Sequence, residues 1–285
     1  MTLKTTLIEA AELAALMADD VLIVDCRFQL ADPDQGERDF HKGHIAGAVF
    51  ASLDRDLSDL TRQAAGMGRH PLPLDSAFNA LLSGWGWRPG IPVVSYDASS
   101  GALAAARLWW LLRLAGVRDV AVLNGGYAAW QAAALPIETG EARPRSPTRV
   151  SLHYQTDQVL LDHASLGKTS SHQLLDARAA ARYRGDTEPL DRVGGHVPGA
   201  LNRPFSDNLD SSGRFKPAAK LREEFTALLG ATAPEKVVHM CGSGVTACHN
   251  LLAMEHAGLH GSRLYAPSWS GWVSDPTRPV AMGEE

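Results

Sequence analysis

Val237-Val238-His239-Met240-Cys241-Gly242-Ser243-Gly244-Val245-Thr246-Ala247-Cys248 decides the reading: an apolar strand ends in a cysteine, a turn of small residues follows, and a helical pattern begins. At such a junction the loop amides and the positive end of the helix face one point, and a thiol placed there is stabilised as a thiolate. Gly242, Ser243 and Gly244 are small enough to leave their N–H groups free to face an anion. Cys241 is the candidate nucleophile. The amides of Gly242, Ser243, Gly244, Val245 and Thr246 are its candidate cradle.

Three other readings compete. A free cysteine is most often a buried small hydrophobe, but the small-residue turn and the helix aimed at the thiol argue against that for Cys241. A cysteine phosphatase wraps a similar junction but needs an arginine six positions on to bind phosphate bidentately, and that position is Ala247. A zinc site would want compact ligand pairs, whereas Cys241 and Cys248 stand alone. Cys248 follows Val245 at i+3 and precedes Leu251 and Leu252, on the apolar side of its helix, which gives it a structural role.

Working outward, landmarks recur in order. Asp25-Cys26-Arg27 returns as Asp176-Ala177-Arg178, Gly43-His44-Ile45-Ala46-Gly47-Ala48 as Gly195-His196-Val197-Pro198-Gly199-Ala200, Asp97 as Cys241, and Trp130 as Trp272. The chain is thus a duplicated domain, far longer than a solenoid repeat. The expected boundaries are 1–142, a linker at 143–149 with two prolines, and 150–285. Val21-Leu22-Ile23-Val24, Pro92 to Tyr96 and Val120 to Leu123 read as buried strands, and Ala102 to Ala115 as a helix ended by Gly116. Such alternation predicts α/β domains, each a parallel sheet flanked by helices, with the site beyond the carboxyl ends of the strands. Asp97 marks the first copy as unarmed. His44, His196, Asp25 and Asp176 occur in both copies, which favours structural roles.

The bulk composition narrows the partners. The 285 residues, 45% apolar and 21% charged, suffice for two ordinary globular domains. A net charge of −5 and the lack of a basic run argue against nucleic acid. No stretch of about 18 apolar residues is present to span a bilayer, and residues 1–20 do not read as a signal peptide. Three cysteines suit a reducing compartment rather than a disulfide framework, so a cytoplasmic location is expected. No cofactor and no metal are called for.

The Cys241–Thr246 loop, the repeated Gly-His-x-x-Gly-Ala and Ser268-Trp269-Ser270-Gly271-Trp272 together resemble the tandem-domain rhodanese superfamily over essentially the whole chain. The CGSGVT loop is similar to that of its 3-mercaptopyruvate sulfurtransferases. Thiosulfate sulfurtransferases put basic residues where Gly242 and Ser243 stand. The resemblance implies a sulfurtransferase: Cys241 takes sulfur from 3-mercaptopyruvate as a persulfide, releases pyruvate, and passes the sulfur to a thiol such as thioredoxin or to cyanide. It implies a proton relay of Ser243, His70 in Gly68-Arg69-His70-Pro71, and Asp54, with Asp56 a weaker substitute. Arg182 corresponds to the first substrate-binding arginine. The second has no clean equivalent, and Arg184 and Arg192 are candidates to replace it. Thiosulfate:cyanide transfer and a non-enzymatic binding module are the alternatives.

Overall fold

A computed structural model describes residues 5–160, 163–167 and 172–284. The chain forms two compact units. The first comprises Met1–Asp59, Leu72–Gln155 and Ser211–Arg214, and the second Leu60–Pro71, Thr156–Asp210 and Phe215–Glu285. Neither is one continuous run: the short segment Leu60–Pro71, from the first half of the sequence, belongs to the second unit.

In the first unit, besides an antiparallel pair of His44–Ile45 with Ile137–Glu138, the strands are β1 (Leu7–Ile8), β2 (Leu22–Asp25), β3 (Val49–Phe50), β4 (Val93–Tyr96) and β5 (Val120–Leu123). They form one sheet in the order β1-β5-β4-β2-β3, every pairing parallel. In the second unit they are β6 (Val159–Leu160), β7 (Gln173–Asp176), β8 (Leu201–Asn202), β9 (Val237–Met240) and β10 (Arg263–Tyr265). Their order, β6-β10-β9-β7-β8, is the same winding, again all parallel. β4 and β9 are buried along their whole length, as central strands covered on both faces must be.

Each sheet carries its own core. Val94, Tyr96, Phe40, Leu13, Leu123 and Trp130 pack together in the first unit, and Val238, Met240, Tyr183, Tyr265, Trp269 and Trp272 in the second. The duplicated landmarks perform duplicated work. Asp25 accepts hydrogen bonds from the Arg27 amide and guanidinium, and Arg27 Nη2 donates to the Gly43 carbonyl. Asp176, Arg178 and Gly195 repeat this set. His44 stacks on Phe40 and bonds its carbonyl, and His196 does the same with Tyr183. The indole N–H groups of Trp130 and Trp272 donate to the carbonyls of Pro136 and Pro279. A buried arginine–aspartate pair in each unit therefore fixes the turn after β2 and β7.

Helix α1 spans Ala105–Leu114, three residues shorter at its start than the Ala102 expectation, and Gly116 at φ +85° closes it. The physical reason is Asp97, whose carboxylate takes the amides of Leu103, Ala104 and Ala105 before helical bonding begins. Helix α2, Thr246–His256, follows β9. Residues 143–149 carry no helix or strand, and the Thr148 amide donates to Ser83 within the first unit. Among the described residues no helix is long and apolar enough to cross a membrane.

Candidate active site

β9 delivers Cys241 to the carboxyl edge of its sheet, where the residue is 1% exposed. Its Sγ accepts the Gly244 N–H at 3.1 Å. The backbone is pinned on both sides. The Cys241 amide donates to Ser268 Oγ at 3.1 Å, and its carbonyl accepts the Trp269 amide at 2.9 Å. Gly244 turns the loop at φ +78°, where a Cβ would sit 2.5 Å from the Ala266 carbonyl oxygen, so only glycine fits. Among the described residues, the amides of Gly242, Ser243, Val245 and Thr246 have no acceptor. α2 also starts without a side-chain cap. The loop therefore has several N–H donors without an acceptor and ends in a helix N-terminus, with the Gly244 N–H on the sulfur.

The other two cysteines are placed differently. Cys26, fully buried, has its thiol pushed well up by burial and by the carboxylates of Asp25, Asp97 and Asp56. Cys248 is fully buried and bonds the Gly244 carbonyl, as its apolar helical position predicted. Neither meets loop amides as Cys241 does.

Segment 60–71 brings two polar side chains to this loop. Gly68, at φ +86°, lies so close to the Pro267 carbonyl that a Cβ would stand 2.4 Å from its oxygen, and the Arg69 amide donates to Ser270 Oγ. His70, beyond it, is buried rather than an exposed loop histidine, with Nδ1 2.9 Å from Ser243 Oγ. A hydroxyl paired with an imidazole beside a thiol can carry a proton to or from a bound molecule. Asp54 lies in the first unit, half-buried in the turn after β3. Asp56, also in the first unit, accepts the Ser52 amide, and burial pushes its carboxyl up.

Arg182, the cation named from the sequence, borders Gly242. A Cβ at Gly242 would lie 3.4 and 3.5 Å from its two terminal nitrogens. Arg184 and Arg192 do not join it: Arg184 pairs with Asp186, and Arg192 reaches the Val273 carbonyl. The second guanidinium at the loop is Arg69, with Nη2 3.1 Å from the same Gly242 position. Sequence reasoning missed it, although it stands next to His70 in Gly68-Arg69-His70-Pro71.

Two carboxylates hold these arginines. Glu188 accepts Nε and Nη2 of Arg182, at 3.1 and 2.8 Å. Asp191 bridges the pair, Oδ1 taking Arg69 Nη1 at 2.9 Å and Oδ2 taking Arg182 Nη2 at 3.0 Å. Burial works to raise Glu188, but the Arg182 hydrogen bonds and the Leu190 amide prevail and hold its carboxyl low. For Asp191 burial prevails and pushes the carboxyl up.

Comparison with known proteins agrees with this architecture. A family profile for the rhodanese-like domain matches residues 9–133 and again 160–275. The chain is 48% identical over 284 residues, 98% of each protein, to a probable 3-mercaptopyruvate sulfurtransferase of Pseudomonas aeruginosa. It is 42% identical over 285 residues, 97% of each, to a putative thiosulfate sulfurtransferase, SseB, of Mycobacterium tuberculosis. The solved 3-mercaptopyruvate sulfurtransferase of Leishmania major superposes with a TM-score of 0.85 at 32% identity, covering 96% of this chain and 75% of that one. With a matching domain in each half, the chain belongs to the rhodanese family as a tandem-domain member.

Proposed function

We propose that the protein is a sulfurtransferase that takes sulfur from 3-mercaptopyruvate through a persulfide on Cys241. The observation that carries this reading is Cys241 Sγ held by the Gly244 amide, with Ser243 of the same loop paired to His70. The thiolate of Cys241 attacks the sulfur of the donor; the S–S bond forms as the C–S bond breaks, and the electron pair goes to the pyruvate enolate. The donor's S–H proton moves to the enolate carbon, leaving the persulfide anion and pyruvate, so charge and atoms balance. Ser243 and His70 are suited to that transfer, and Asp54 is carried in this reading as the carboxylate of the relay. The loop amides of Gly242, Gly244, Val245 and Thr246 stabilise the outer sulfur. Arg69 and Arg182 bind the donor's carboxylate. A thiolate acceptor, such as that of a reduced thioredoxin, or cyanide, then takes the outer sulfur and returns the Cys241 thiolate.

The division into an unarmed copy at 1–142, a linker at 143–149 and a catalytic copy at 150–285 belongs to the same reading, as does a cytoplasmic setting. Thiosulfate is the second donor to consider, favoured by the name of the mycobacterial relative. The test is pyruvate release from 3-mercaptopyruvate with a thiol acceptor. Cys241→Ser is expected to lower kcat by on the order of 10⁴-fold. Unchanged turnover in that variant would refute the assignment.

A further inference from the structure

Arg69 and Arg182 face the reactive loop already neutralised, and the neutralisation is uneven. Glu188 grips Arg182 through its fork, whereas Asp191 touches the guanidiniums of Arg182 and Arg69 at once. The Asp191 side chain is 5% exposed, so its charge is little screened by water. Arg69 Nε is buried with no acceptor among the described residues, so the guanidinium retains binding capacity after Asp191 is satisfied. Arg178 is paired with Asp176 and also lies 3.6 Å from Glu188, so the set is three arginines against three carboxylates. The anion-binding wall beside Gly242 is left with no net charge, next to Cys241.

We infer that Asp191 is the specificity-determining residue of the reaction: by bridging Arg69 and Arg182 it sets the charge of this wall so that a monoanionic carboxylate donor is taken in preference to a dianionic one. The inference rests on the proposed sulfur transfer at Cys241. A monoanion needs only the directional donors left on the two forks. A dianion must approach a thiolate with no net positive charge to offset the repulsion, and interaction with a missing unit charge scales with the charge of the ligand. Asp191 acts through the arginines and touches no reacting atom, which makes it a positioning residue.

Asp191→Asn removes the charge while keeping the size of the side chain. The quantity to read is kcat/KM for thiosulfate divided by kcat/KM for 3-mercaptopyruvate, with cyanide as common acceptor. Measured on one preparation, that ratio cancels the fraction of folded enzyme. It is expected to rise about tenfold in Asp191→Asn, to rise likewise in Asp191→Ser, and to stay near the wild-type ratio in Asp191→Glu, which restores the charge. Equal losses for both donors, with the ratio unmoved in Asp191→Asn and Asp191→Ser, would reduce Asp191 to a brace and overturn the inference alone. If the unmodified protein transfers sulfur from neither donor, the functional reading fails and this inference with it.

Discussion

The loops after β4 and β9 are copies with opposite contents. In the first unit Asp97 fills its loop: its carboxylate accepts the amides of Ser99, Gly101, Leu103, Ala104 and Ala105, all at 2.8 to 3.1 Å. In the second unit Cys241 Sγ takes the Gly244 amide, while those of Gly242, Ser243, Val245 and Thr246 have no acceptor among the described residues. One bond of the surrounding scaffold recurs in both. Tyr127 donates its amide to the Asp97 carbonyl, as Trp269 does to that of Cys241. An anion-binding turn can thus be closed by its own side chain and become structure, or be left open around a sulfur and become a site. The difference lies in the residue at the strand end and in the loop it closes, eight positions from Asp97 to its helix and five from Cys241.

The largest effect expected on this contrast comes from the proton pair that only the second loop possesses. Ser243→Ala and His70→Asn are each expected to lower kcat for 3-mercaptopyruvate by about 10² or more, the range of general acid–base catalysis. The double variant should lose little more than either single one. Additive losses, read by steady-state kinetics, would show that the two side chains do not work as a pair.

The loops should also differ in stability. Asp97→Ala strands buried amides that the carboxylate had satisfied, and is expected to cost about 3 kcal/mol of unfolding free energy. Cys241→Ala removes the partner of one amide in a loop that already leaves others open, and should cost about 1 kcal/mol or less. Urea unfolding of the two variants checks the order. A reversed order would mean that the first loop is not held by its aspartate.

The smallest effect lies one turn of side chains deeper, where β4 has Ser95 and β9 has His239. His239 is fully buried, bonds Ser262 Oγ through Nε2, and burial lowers its pKa from 6.5 to about 3. It is therefore neutral in the fold across that interval, while the unfolded chain protonates it below an ordinary value near 6.5. The unfolded state binds more protons there, so stability falls as pH drops from about 6.5 toward 3. His239→Gln is expected to flatten that acid limb in a Tm-against-pH series. An unchanged slope would remove His239 from the account.

Much of this was legible in the chain. The repeated Asp-x-Arg and Gly-His-x-x-Gly-Ala landmarks marked the duplication because each copy must build the same buried salt bridge and the same stacked histidine. Val120–Leu123 was readable as a strand from its unbroken apolar run. The start of α1 was not, because periodicity in Ala102–Ala115 carries no sign that a carboxylate upstream would capture the first amides. Cys241 stood out by its small-residue neighbours. Arg69 did not, since its place in the second unit depends on segment 60–71 leaving the copy it is written in. The partners of Arg182 carried no signal in the sequence, because Glu188 and Asp191 meet its guanidinium only through the fold of the loop after Gly185.

The most direct test of the contrast is the intact mass of the protein after brief exposure to 3-mercaptopyruvate without an acceptor. A gain of one sulfur atom is expected, mapped to Cys241, lost on adding a thiol and absent from Cys241→Ser. A gain that persists in Cys241→Ser, or that maps to Cys26 or Cys248, would contradict it.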